Sequence, residues 1–391
     1  MRIVRVLFLS ILCASPHIVL GERCEHAPYA LKQAAYVSGL SRLRAVSCEE
    51  LTAERFLAKT RNLVLKDVSL DRLVHEESVL KALGIVPREY PYAACLVDDL
   101  ARNAAAFYAP ALQGFAVPSW HETPMAVLVH EATHALQDHH FNVRTFGTRT
   151  FVLSDENFAA SALLEGHAMY IESQYLKSEP QRAHAELDES MRLAPHDAQC
   201  GMPIRFAQLL DAPYELGERF VAALVRVSGE SAVLAAFKRP PRTSREIMHP
   251  ERYLAGESTV TVAPGPSQRV FRDGVYTRIL SESIGEFGLL SLLASRLPIN
   301  RALPGSIGWR GDLLEIYLRH RHVIAEWQIV LATEEAALKL FQEYTEVLRR
   351  SLATAIDART KSYTIDVPEG ELSLRLSNSR VYVHYAGSEH R

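Results

Sequence analysis

The chain has 391 residues, of which 48% are hydrophobic and 23% charged, with a formal net charge of −3. That length supports a large buried core and more than one lobe. A near-neutral balance without a basic stripe argues against a nucleic-acid binder, and five cysteines without a C-x-x-C pair argue against a cysteine zinc site.

Met1 to Arg5 is a short basic start, and Val6 to Leu12 is an apolar run too short for a membrane span. This pattern predicts a signal peptide over 1–21, cut after Gly21, and an extracytoplasmic protein, secreted or periplasmic. Removing Arg2 and Arg5 with it takes the formal charge from −3 to −5. Cys24, Cys48, Cys95 and Cys200 remain. In an oxidising compartment they can form two disulfides, with three connectivities open. No later apolar stretch reaches membrane length, so no integral membrane segment is expected in the mature chain.

Residues 22–95 are read as a helical N-terminal lobe. Leu31, Ala34, Leu51, Phe56, Leu70, Leu73, Val74 and Leu80 fall among apolar positions recurring every three or four residues. Gly84 and Pro87 end the run. Residues 96–260 form the expected catalytic core. Ala106-Phe107-Tyr108 and Gly114-Phe115-Ala116-Val117 read as a hairpin leading into the next helix.

That helix carries His130-Glu131-Ala132-Thr133-His134. Positions i and i+4 share a helix face, so both imidazoles are directed at one point, as a zinc site requires. Glu131 lies beside that face, placed to act as general base on a metal-bound water without ligating the metal. Thr123-Pro124 is a plausible helix start. The hairpin strand before such a helix can serve as a sheet edge that pairs with an extended peptide.

Two residues compete to be the third ligand. His140 stands at the third-histidine place of H-E-x-x-H-x-x-G-x-x-H, but Gln137 replaces the helix-breaking Gly of that pattern. Glu165 lies mid-helix in an apolar segment that begins at Ser154-Asp155, and a buried carboxylate needs a partner.

The runs LVHEATHALQDHHF and SALLEGHAMY resemble the gluzincin superfamily. More narrowly, they resemble a group of largely uncharacterised bacterial secreted metallopeptidases that read close to HE-x-THALQD-x-HF and then AL-x-EGDA. Further likenesses are Ala106-Phe107-Tyr108-Ala109-Pro110 to G-F-Y-D-P, Ala212-Pro213-Tyr214-Glu215-Leu216-Gly217 to P-Y-x-x-G, Gly308-Trp309-Arg310-Gly311-Asp312 to GWGGD, and 240–253 to PPRSTEQ-x-LHPEKY. The resemblance implies one zinc on His130, His134 and Glu165, with Glu131 as base. Two departures stand out: His167 replaces the family's Asp after E-G, and Ala109 replaces the Asp of F-Y-D-P.

A developing oxyanion needs a further donor. His249 and Tyr253, in the H-P-E-x-Y box, are the sequence candidates. In residues 261–391, read as a helical lobe with terminal strands, helices are expected over 276–295, 311–319 and 333–352. Trp309 and Trp327 are assigned to the core. Alternation from Tyr363 to Tyr385 gives a strand and a hairpin.

The reading is an α+β, mainly helical protein with a zincin-like core, exported, and acting as a zinc metallopeptidase on peptide or protein substrates. The alternatives are a catalytically idle zincin fold used for binding, and a zinc amidase acting on a cell-wall amide.

Overall fold

A computed structural model describes residues 24–67, 70–102, 104–110, 112–120, 123–143, 146, 153–179, 200, 202–265, 275–352, 356, 360–368 and 370–388. The expected signal peptide lies outside these residues. The chain is α+β and mainly helical.

In chain order the first elements are α1 (Ala27–Ser38), β1 (Ser47–Leu51), α2 (Ala53–Asp67), α3 (Leu70–Leu83) and α4 (Tyr92–Arg102). The stretch read as continuously helical thus contains a strand. β1 pairs parallel with β3 (Gly114–Pro118), which pairs antiparallel with β2 (Phe107–Ala109). Only a partner 67 residues away makes Ser47 to Leu51 a strand, Ser47 facing Gly114 across the ladder. The hairpin of β2 and β3 is as expected.

Two long helices follow. α5 (Met125–His140) carries the H-E-x-x-H, with Pro124 rather than Thr123 at its cap. α6 (Asp155–Ser178) starts at Ser154, whose side chain accepts the Asn157 N–H at 3.1 Å. Then come α7 (Ile204–Ser228), α8 (Glu230–Lys238), α9 (Ser244–Met248) and α10 (Pro250–Leu254). Ala132, Ala135 and Leu136 of α5 bury against α1 and the small sheet. Ala159, Ala162 and Leu163 of α6 bury against Phe220, Val221 and Leu224 of α7.

The C-terminal part differs from its helical reading. It is a six-stranded antiparallel sheet in the order β4 (Thr277–Glu282), β5 (Trp309–Arg319), β6 (His322–Leu331), β9 (Arg380–Ser388), β8 (Gly370–Ser377) and β7 (Ser362–Val367). α11 (Gly285–Ala294), α12 (Ile299–Ser306) and α13 (Glu334–Leu352) complete it. Residues 311–319 belong to β5. Both faces of this inner strand are buried, so its apolar residues run together and lose the alternation that marks a half-exposed strand.

The G-W-R-G-D run is a structural knot. Asp312 accepts the indole N–H groups of Trp309 (2.9 Å) and Trp327 (2.7 Å), the Ser283 hydroxyl (2.6 Å) and the backbone N–H groups of Ile284 and Gly285. A buried carboxylate with so many donors is satisfied without a cation, and both tryptophans fill the core as expected.

The sheet is joined to the α5 and α6 region through Asp155, at the start of α6. Its backbone N–H donates to Ser283 O (2.8 Å), and its Oδ1 accepts the Ser244 N–H (2.8 Å). Gly285 must be glycine here. Its φ is +79°, and an added Cβ would lie 1.8 Å from the Asp155 Oδ1. Burial raises the Asp155 carboxyl to about 7, against the hydrogen bonds from Ser244.

A folded-state pKa above the unfolded one means that the native state binds the extra proton. Stability from this group is therefore fully present below about pH 4 and is lost as pH rises towards 7. Each unit of separation is worth about 1.4 kcal/mol. We expect urea unfolding of the wild type to lose several kcal/mol relative to Asp155→Asn between pH 4 and 7.5. Parallel stability curves for the two proteins would show that Asp155 does not titrate in this window.

Two disulfides close the described residues, Cys24–Cys48 and Cys95–Cys200, with Cα separations of 5.5 and 6.0 Å. Disulfides of this kind persist in oxidising compartments. No single helix among the described residues is long and apolar enough to cross a membrane.

Candidate metal centre

Three side chains converge where α5 meets α6. The His130 Nε2 lies 3.1 Å from the Glu165 Oε2, the His134 Nε2 lies 3.2 Å from the same oxygen, and the two Nε2 atoms are 3.2 Å apart. Ligand bonds of about 2.0–2.1 Å arranged tetrahedrally place neighbouring donors roughly 3.3 Å apart. The triangle therefore matches one face of a zinc tetrahedron, and the two nitrogens and one carboxylate oxygen are donors zinc accepts.

The far side of each imidazole is anchored. The His130 Nδ1 faces the Glu172 Oε2 at 3.3 Å, and the His134 Nδ1 faces the Gln137 Oε1 at 2.9 Å. Both partners are acceptors, so each Nδ1 carries a proton, and with a metal bound each Nε2 would turn its lone pair to the common point. Gln137 is itself fixed, donating from its Nε2 to Leu164 O (2.9 Å) and towards the His167 Nδ1 (3.1 Å).

The neighbouring histidines have partners of their own. Gln137 continues the helix, and His140 extends from the last turn to donate to Ser41 O at 2.7 Å. Beside it, Arg44 bonds Asp138, and the Leu43 N–H donates to the His139 Nδ1. The end of α5 therefore holds residues 41–44. His167 packs edge-on against Phe237, and burial, with the His134 charge, lowers it to about 3. It is a neutral acceptor that steadies Gln137. Among the described residues, His130, His134 and Glu165 form the single group spaced to hold a metal ion.

The metal-free electrostatics follow from the packing. Burial alone would raise the Glu165 carboxyl, but His134 and His130 outweigh it and hold it well below the usual carboxylate range. Burial alone would lower His130, but Glu165 and Glu172 raise it well above its ordinary value. A metal entering here displaces protons from imidazoles.

Glu131 stands beside this group and outside it. Its Oε2 accepts the Tyr108 N–H of β2 at 2.7 Å, which fixes the carboxylate at the edge of the small sheet. Burial raises its pKa against the pull of His134 and His130. A carboxylate so raised is better matched to taking up a proton near neutrality.

The fourth wall is Tyr214 of α7, a residue quoted within the P-Y-x-x-G likeness but given no role in the sequence reading. Its ring stacks on His130, with centroids 6.2 Å apart and planes at 24°. The charge of Glu165, burial and the charge of Glu131 push its phenol well above its ordinary pKa, so it stays a donor. Gly217, one turn on, explains how it arrives there. A Cβ on Gly166 would lie 2.1 Å from the Gly217 carbonyl carbon, and one on Gly217 would lie 2.0 Å from Ala162 O. Two glycines let α6 and α7 touch backbone to backbone, and that contact sets Tyr214 beside Glu165.

His249 and Tyr253 are not brought to this centre. The His249 Nε2–H donates to the Glu286 Oε1 (2.8 Å), and the fully buried Glu286 also accepts from Arg245 (2.7 Å). The Tyr253 hydroxyl donates to Arg239 O (2.7 Å), and its ring packs on Phe220. Among the described residues, no hydrogen bond or ring contact links either to the triad. The box 240–253 is a joint that fastens α9 and α10 to α11.

Residues 268–390 match a family described as a domain of unknown function (DUF8575). No curated protein and no solved structure matches the chain. The matched stretch holds the sheet, Asp312 and Glu286, and none of the residues at the candidate metal centre.

Proposed function

We propose that the protein is an exported zinc metallopeptidase. The observation that carries this reading is the triangle of donor atoms with both Nδ1 groups anchored, beside a Glu131 held out of the triangle. One zinc ion held by His130, His134 and Glu165 would supply Lewis acidity and lower the pKa of a water at the site. The Glu131 carboxylate takes the proton from that water as its oxygen adds to the scissile carbonyl. Glu131 then passes the proton to the leaving nitrogen as the C–N bond breaks. The Tyr214 hydroxyl donates to the oxyanion that develops on the carbonyl oxygen. Two disulfides support an oxidising, extracytoplasmic location, as a secreted or periplasmic enzyme requires.

The test pairs metal analysis with a peptide-library digest read by mass spectrometry. We expect one zinc per chain and cleavage that stops on chelation and returns with added zinc. A protein that binds zinc and peptides and cleaves nothing would point to an idle fold used for binding. Tyr214→Phe should retain zinc while kcat falls by roughly 10²–10³. An unchanged kcat would remove Tyr214 from the chemistry.

A further inference from the structure

Gln137 lies one turn after His134 on α5, buried where α5 meets α6. Its Oε1 faces the His134 Nδ1 at 2.9 Å, and its Nε2 faces Leu164 O at 2.9 Å and the His167 Nδ1 at 3.1 Å. An amide oxygen only accepts and an amide nitrogen only donates, although the two are alike in size. Leu164 O decides which is which. A backbone carbonyl can only accept, so the Nε2 must lie on its side and the Oε1 on the side of His134. With the amide reversed, two oxygens would face each other at 2.9 Å inside the protein, each without a donor.

An Oε1 in that place accepts a hydrogen from the His134 Nδ1 and leaves the Nε2 as the nitrogen for a metal. The second Nε2 hydrogen of Gln137 then needs an acceptor, and the His167 Nδ1 supplies it. His167 is buried, and its ring packs edge-on against Phe237 with centroids 5.3 Å apart, which holds that acceptor in place. Leu164 immediately precedes Glu165. The same amide therefore ties the turn of α6 that carries the carboxylate donor to the ring of α5 that carries a nitrogen donor.

We propose that Gln137 and His167 are a pair of positioning residues: Gln137 selects the metal-binding ring form of His134, and His167 holds Gln137 in the orientation that does so. This assignment rests on the metal centre of the peptidase reading and is independent of the reaction carried out there.

The experiment measures the zinc affinity of the full chain by competition with a chelator. Gln137→Met keeps the volume and removes the amide, and we expect affinity to fall by about 10–100-fold. His167→Phe keeps a ring against Phe237 and removes the acceptor, and should lose about tenfold, the low end of that range. His167→Asn places its Oδ1 at the same bond from the backbone as the His Nδ1 and should bind zinc as the wild type does. If His167 acts through Gln137, the double variant Gln137→Met/His167→Phe loses no more than Gln137→Met alone. Cobalt in place of zinc gives a second readout. Its visible spectrum should shift in Gln137→Met and His167→Phe and return to the native form in His167→Asn. Circular dichroism of the metal-free proteins checks folding, and His167→Leu replaces His167→Phe should that variant not fold.

Native zinc affinity in Gln137→Met, a double variant that loses the product of the two single losses, or equal losses in His167→Phe and His167→Asn overturns the proposal. Tight zinc in the wild type and in every variant sinks the pair and leaves the metal centre. Tight zinc in the wild type, weakened as expected in the variants but with no peptide cleaved, sinks the peptidase reading and leaves the pair. A wild type that holds no zinc removes both.

Discussion

Glu131→Gln is expected to keep zinc and to lower peptide cleavage by about 10²–10⁴, the usual worth of general-base assistance. The expectation follows from where the carboxylate sits. It accepts the Tyr108 N–H at 2.7 Å and is absent from the group whose atoms could ligate a metal. Glutamine keeps a carbonyl oxygen for that N–H and occupies nearly the same volume, so the wall between α5 and β2 stays intact. What it lacks is a site for the proton. Zinc content by mass spectrometry and thermal unfolding should therefore track the wild type while kcat collapses. Full activity in this variant, against a peptide that the wild type cleaves, would rule out Glu131 as the proton acceptor.

Glu165→Ala is expected to cost more in metal affinity than the about 10–100-fold typical of losing a residue that merely orients a ligand. It removes one of three donors and the only negative one, leaving two neutral imidazoles. His140→Ala is the control, since His140 is committed to Ser41 O on the other side of the helix end. Competition with a zinc chelator reads both variants. Strong loss in Glu165→Ala with near-native affinity in His140→Ala is the expected pattern. The reverse would place the third ligand at His140 and require α5 to unwind at Gln137.

The two variants probe different depths of what was legible. H-E-x-x-H needs only a helix to work, because i and i+4 share a face whatever the rest of the chain does. The sequence therefore determined His130, His134 and the off-face place of Glu131. The apolar run from Ser154 with a capped start likewise determined α6 and put Glu165 inside it. Both terminal hairpin strands and the core roles of Trp309 and Trp327 were legible for the same reason, since alternation and large apolar side chains act locally.

Tertiary structure alone decided the rest. Tyr214 reaches His130 because Gly166 and Gly217 allow α6 and α7 to touch, and a one-dimensional pattern does not say which two glycines will meet. His249 and Tyr253 carry the right chemistry for an oxyanion donor, yet Glu286 and Arg239 claim their polar atoms, 37 and 14 residues away in sequence. β5 reads as a helix because burial on both faces erases its alternation, and β1 is a strand only against β3. Periodicity and capping act over a few residues and are written in order along the chain. A strand's partner, a helix crossing and the owner of a buried hydrogen bond are set by long-range packing, where many distant side chains compete for each contact.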